Sequence, residues 1–221
     1  RFTSLFVEII YGLHISDREM RRRFVFRNLD RAEELAHEKG GVIYMLGHFG
    51  NWEWIADVAK RYEDPRVIHY NVYRRQKSEP IDRLMLRVRN KRSGVCVEKN
   101  SLLRQMVSTR NNGIPKTYGL ICDQHPSPHN EFLHTEFLHH DTAFLGGGEQ
   151  LSKKLGYAAM YVHIHSPKRG YYEADIIELK GDNITEQYAR LLEENIKEQP
   201  ELWLWTHNRW KYRKSADQQK N

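Results

Sequence analysis

Cysteine is nearly absent: the 221 residues contain only Cys96 and Cys122. Two thiols make no disulfide framework and no Cys-based metal knuckle, so they read as reduced thiols packed in a core. Long apolar runs are missing too. No window approaches the 18 consecutive apolar residues that a spanning helix needs, and no secretory leader is visible, although the sequence opens on Arg1 and not Met. There is no internal repeat, low-complexity tract or convincing linker. With 39% apolar and 29% charged residues, the chain is neither a disordered tail nor a fibrous repeat. It is long enough to bury a core as one domain. Acidic residues are outnumbered, 29 against 35 basic, for a net charge of +6. A basic chain with 12 Tyr, 8 Phe and 5 Trp suits acidic partners: anionic lipid, nucleic acid, phosphorylated substrates or an acidic carrier protein.

Short apolar segments without alternation stand at Gly41–Gly47, 66–73, 95–97 and 117–122. Such runs are strands buried on both faces, as in a parallel sheet. Ser16 and Glu19 form a capping box, predicting one long helix to about Lys39. Helical spacing follows over 52–62, 80–92, 101–111, 147–155 and 184–197. Two further strands are expected at 158–165 and 171–179, joined by a turn at 167–170. The stretch from Pro126 to Phe144, rich in His, reads as irregular. This alternation predicts an α/β fold, a single domain with a largely parallel central β-sheet flanked by helices.

The strongest local signal is Gly47-His48-Phe49-Gly50-Asn51-Trp52-Glu53-Trp54, which leaves a buried strand and opens a helix. Open α/β sheets place ligands at the carboxyl ends of their strands. His48 and Glu53 would lie roughly 140° apart on a continuous helix. They meet only if His48 sits in the turn and Glu53 in the first helical turn. A neutral imidazole could then take a proton from a hydroxyl while the carboxylate fixes its tautomer. With no Ser or Cys beside the pair, the substrate would supply the hydroxyl and the acyl group would transfer directly.

This block resembles the catalytic block of the lipid A biosynthesis acyltransferases, the late lauroyl/myristoyl transferases within the wider H-x4-D/E acyltransferases. Three further segments fall in that family's order. Tyr73-Arg74 with Ile81-Asp82 resembles its Tyr-Arg-Pro segment, with Arg75 where Pro is usual. Asp123-Gln124 matches its Asp-Gln at a strand end. Pro200-Glu-Leu-Trp-Leu-Trp-Thr-His-Asn-Arg-Trp-Lys211 resembles its C-terminal signature. Asn130 to Phe144 departs most from the pattern.

The resemblance implies a glycerolipid-acyltransferase-like fold with an N-terminal membrane helix upstream of this chain, at the cytoplasmic face of a bacterial inner membrane. It implies acyl transfer from acyl carrier protein, or coenzyme A, to a hydroxyl of a lipid A precursor, without a bound cofactor. His48 would be the general base and Glu53 its orienting partner. Asn51 would donate to the oxyanion, or fix its own turn. Arg74 would grip a phosphate or carboxylate. Asp123, with Gln124, would shape the site, or cap or pair with an Arg. Arg209 and Lys211 would bind acceptor phosphates, and Trp203, Trp205 and Trp210 would lie at headgroup level, unless the aromatics are core and the basic tail is solvated. The 12 histidines do not show zinc-helix spacing, so no metal is expected. Alternatives are an acyltransferase for another membrane lipid, and a non-catalytic lipid- or nucleic-acid-binding protein. No nucleic-acid signature is recognised.

Overall fold

The structure, a computed structural model, describes residues 2–92, 94–127, 130 and 132–211. In chain order the elements are α1 (Phe2–Tyr11), α2 (Asp17–Arg23), β1 (Phe24–Arg27), α3 (Leu29–Lys39), β2 (Gly41–Leu46), a 3₁₀ helix (Trp52–Lys60), β3 (Ile68–Tyr73), α4 (Glu79–Asn90), β4 (Val95–Glu98), a 3₁₀ turn (Lys99–Ser101) and α5 (Leu102–Thr109). Then come β5 (Lys116–Ile121), β6 (Leu133–Phe137), β7 (His140–Phe144), α6 (Gly147–Leu155), β8 (Ala158–Lys168), β9 (Tyr171–Leu179), α7 (Ile184–Glu198) and a last 3₁₀ turn (Pro200–Leu202).

Seven strands make one sheet in the order β1-β9-β8-β2-β5-β3-β4. Every neighbouring pair is parallel except β8–β9. The apolar run of β2 is buried at all six positions, because the strand lies mid-sheet and α3 and α6 pack on it. The expected α/β domain with a largely parallel sheet is therefore what the chain forms.

Two local expectations are corrected. Ser16 does cap a helix, its Oγ accepting from Glu19 N at 3.2 Å, but that helix ends at Arg23. Phe24-Val-Phe-Arg then pairs with β9 as an edge strand, and Asn28 turns the chain in the left-handed region (φ 59°) into α3. The aromatic and β-branched residues gain more from the sheet than from a continued helix. The supposedly irregular segment holds the β6–β7 hairpin, joined through Leu138 and His139 at φ 51° and 62°.

His69 on β3 is buried, its Nδ1 sharing a hydrogen bond with Thr117 Oγ1 (2.7 Å) and its Nε2 with Asn71 Oδ1 (3.0 Å). Burial lowers its pKa from 6.5 to about 4, against the smaller opposing effect of Asn71. Below 6.5 the unfolded chain takes up a proton that the folded chain refuses, so stability falls as pH drops from 6.5 towards 4. The loss is about 3 kcal/mol, and His69→Asn should flatten this limb of a denaturation-versus-pH series.

Candidate active site

Register assembles the site. Leu46 pairs with Ile121, the last residues of the adjacent parallel strands β2 and β5. His48 and Asp123 each stand two residues beyond, so the two side chains leave the sheet side by side. Cys122 N and Tyr188 O–H both donate to Leu46 O, each at 2.8 Å, and hold the strand end. At Gly47 a Cβ would lie 2.9 Å from the Leu192 side chain, which would have to shift to admit one. Gly50 turns the loop at φ 57°, where a Cβ would crowd the Tyr172 ring at 3.0 Å.

The His48 ring lies 2.7 Å from Asp123 Oδ1 through Nδ1, and its backbone N–H donates to Oδ2 at 2.7 Å. Trp203 Nε1 also donates to Oδ2, at 2.9 Å. Asp123 is 3% exposed. Burial alone would push its carboxyl up, but the His48 ring and these donated hydrogen bonds outweigh it and hold the group below its ordinary value. An ionised carboxylate only accepts, so Nδ1 donates to it, and in the neutral ring the lone pair is on Nε2. His48 Nε2 has no hydrogen-bond partner among the described residues, and the Trp52 ring edge flanks the imidazole at 5.0 Å. The C-terminal segment completes the loop: Gly50 N donates to Leu202 O (2.9 Å) and Leu204 N to His48 O (3.0 Å).

The expected His48–Glu53 contact is not formed. Glu53 accepts two hydrogen bonds from Arg89, at 2.8 and 2.6 Å, and both side chains are largely buried. A permanently charged guanidinium fork fits a buried carboxylate better than an imidazole does, and the 3₁₀ winding turns Glu53 towards α4. The partner of His48 is Asp123. Removing one member of a buried ion pair strands the other. Glu53→Gln should therefore cost about 3–5 kcal/mol in denaturant unfolding. Glu53→Gln with Arg89→Met should cost less than the single change.

Asn51 is fully buried, and its Nδ2 donates to Glu8 Oε2 at 3.0 Å. The donor an oxyanion would need is thus already engaged, on a carboxylate that also accepts from Tyr172 O–H at 2.8 Å. Arg209 is corrected as well. It is 3% exposed, donates to Ala143 O and lies 4.6 Å from the Phe144 ring centroid. Burial pushes its pKa down to about 10, so it is an internal prop and not a surface phosphate ligand. Arg74 is exposed just past β3, Gln124 is exposed beside Asp123, and Lys211 is exposed at the end of the described residues. Of the three tryptophans expected at headgroup level, Trp203 is buried, Trp210 donates to Thr142 Oγ1 at 2.8 Å, and Trp205 is 52% exposed.

Sequence reasoning missed Arg89 and the role of Trp203. It also gave Asp123 a lesser part. The one available signal was positional: Asp123 follows its buried run as His48 follows its own.

Two openings lie beside the segment that follows His48, and Trp52 lines both. On the β8–β9 side, where β8 runs on past the end of β2, is a pocket of about 740 Å³. Its walls include Leu5, Trp52, Tyr172, Leu202, Trp203 and Trp205, with Lys168 and Arg169 at the hairpin end. That volume is within the ~300–1,000 Å³ of small-molecule sites. On the β3 side a cleft of about 40 Å³ runs between Trp52, Glu53 and Arg89.

The family model described as bacterial lipid A biosynthesis acyltransferase matches residues 1–212. No curated protein matches the chain.

Proposed function

From the premise that this chain belongs to the bacterial lipid A biosynthesis acyltransferase family, and so is an acyltransferase, we propose that it moves a fatty acyl group from a carrier thioester to a hydroxyl of a lipid A precursor. The donor in this reading is acyl carrier protein, with coenzyme A as the alternative carrier, and the site of action is the cytoplasmic face of the inner membrane. Among the described residues no helix is long and apolar enough to cross a membrane. Attachment in this reading comes from the aromatic face.

One observation carries the reading: an imidazole fixed by a buried carboxylate, with Nε2 unengaged, on a loop whose Gly50 and Trp52 line an aromatic-walled pocket. Nε2 takes the proton of the acceptor hydroxyl. The oxygen attacks the thioester carbonyl, forming the new C–O bond. The intermediate collapses with cleavage of the C–S bond, and the thiolate recovers the proton from Nε2. Asp123 remains ionised throughout and stabilises the imidazolium. The pocket takes an apolar chain, while Arg74, Gln124 and Lys211 are placed for polar or phosphate groups. No cofactor enters these steps. The family assignment decides against the non-catalytic lipid- or nucleic-acid-binding alternatives.

The test is transfer from acyl carrier protein charged with saturated chains of several lengths to a panel of lipid acceptors, read by mass spectrometry. A gain of one acyl group on a lipid A precursor supports the proposal. A gain only on a glycerophospholipid, aminolipid or other glycolipid keeps the chemistry and replaces the acceptor. No gain on any acceptor, with folded protein, overturns it.

A further inference from the structure

The positive charge of this molecule is segregated. Residues 74–110 hold eleven Lys and Arg against three Asp and Glu, a net +8, while the whole chain carries +6, so everything outside that stretch sums to −2. Many arginines of the chain sit on acids: Arg22 and Arg23 on Glu19, Arg27 on Glu173, Arg61 on Asp57 and Arg66 on Asp64 outside the stretch, and Arg83 on Glu79, Arg89 on Glu53 and Arg92 on Asp57 within it. The stretch also holds Arg74, Arg75, Lys77, Lys99 and Arg104, which are exposed and whose side chains make no ion pair among the described residues. Unpaired like charges repel one another, so such a cluster is favourable only towards an acidic surface.

Its position relative to His48 follows from register. Leu46 pairs with Ile121, Asn71 with Gly119 and Tyr73 with Glu98, so β2, β5, β3 and β4 all end at one level. Arg74 and Lys99 are the next residues after β3 and β4. At about 4.8 Å per strand they stand roughly 10 and 15 Å along the edge from the end of β2. The positive field of Lys99 reaches Cys122, the residue before Asp123. Arg104 lies in the first turn of α5, which starts from the same edge.

The two flanks of His48 differ in kind. The pocket flank exposes aromatics: Trp205, and Phe6 on α1, whose Leu5 lines the pocket. Aromatic side chains at a surface suit a lipid interface. On the basic flank the large exposed apolar residues of α5 are Leu103 and Val107, both aliphatic, beside Arg104. A strip of aliphatic and unpaired basic side chains on one helix suits a protein face and steers an acidic partner.

We propose that the row formed by Arg74, Arg75, Lys77, Lys99 and Arg104 is the docking surface for an acidic protein that presents the acyl thioester to His48, while the lipid acceptor enters from the aromatic flank. This rests on the carrier-borne donor proposed above. The two charge reversals Lys99→Glu/Arg104→Glu and Arg75→Glu/Lys77→Glu use exposed residues outside the reacting groups. Each is compared with wild type on dodecanoyl-acyl carrier protein and on uncharged dodecanoyl-pantetheine, with one lipid acceptor in detergent.

The expected result is a KM for the carrier-borne donor raised roughly tenfold or more in both variants, with pantetheine kinetics unchanged and the gap narrowing as salt rises. Lys99→Arg/Arg104→Lys should behave as wild type. An unchanged carrier KM in either folded variant overturns the surface. Weaker binding to phosphatidylglycerol vesicles with an unchanged carrier KM overturns it in favour of a membrane face. If wild type itself prefers pantetheine to the carrier, the donor reading fails and the surface falls with it. The first two failures show only in the variants and the third only in wild type.

Discussion

His48→Ala is expected to lower acyl transfer by roughly 10²–10⁴-fold, the usual worth of a positioned general base. The side chain is only 14% exposed, and its loss removes one hydrogen bond to Asp123. Asp123 would still accept from the residue 48 backbone N–H and from Trp203, so the fold should survive. Circular dichroism melting checks that point, and single-turnover transfer checks the rate. Retention of more than a tenth of wild-type transfer would remove His48 from the reacting groups.

Asp123→Asn should do nearly as much harm, on the order of 10²–10⁴-fold in kcat with KM little changed, because it attacks the tautomer and not the binding of substrate. The carboxylate accepts three hydrogen bonds from three donors. An amide offers one oxygen and one NH₂, so at least one of those donors would face another donor. If the NH₂ turns to His48, the ring proton moves to Nε2 and the base is lost. Imidazole nitrogen NMR reports the tautomer directly, and Trp203→Phe should produce a smaller fall in kcat without moving it. An Asp123→Asn protein with unaltered kcat would return the orienting role to another residue.

The difference between these two expectations and the sequence-level reading concerns distance along the chain. The apolar runs of β2 and β5 announce a buried sheet, and the glycines at 47 and 50 announce a turn. Both are local signals. The pairing of Leu46 with Ile121 is not local, and it alone brings Asp123 to His48 across 75 residues. Glu53, five residues from His48, was the nearer carboxylate in sequence, but Arg89 on α4 claims it. Helix periodicity ran through Phe24–Arg27 because only β9, late in the chain, reveals that segment as an edge strand. The β6–β7 hairpin escaped notice because its turn uses Leu138 and His139 at positive φ, where Asn-Gly would have been the signal. Arg209 read as a tail residue because nothing local shows that Phe144 and Ala143 enclose it.

The hydrogen bonds from Gly50 to Leu202, from Leu204 to His48 and from Trp203 to Asp123 have a consequence in time. All seven sheet strands are complete by Leu179, and α7 by Glu198. During synthesis the sheet, the loop and the His48–Asp123 pair can therefore exist before the Trp203 segment leaves the ribosome. Until that segment arrives, the Gly50 amide and the His48 carbonyl lack their partners, and Asp123 Oδ2 has only one of its two donors. The site is thus completed after the sheet, and a product terminated at residue 199 would keep the strands and lack the bonds from Leu202, Trp203 and Leu204 to the His48 loop and Asp123.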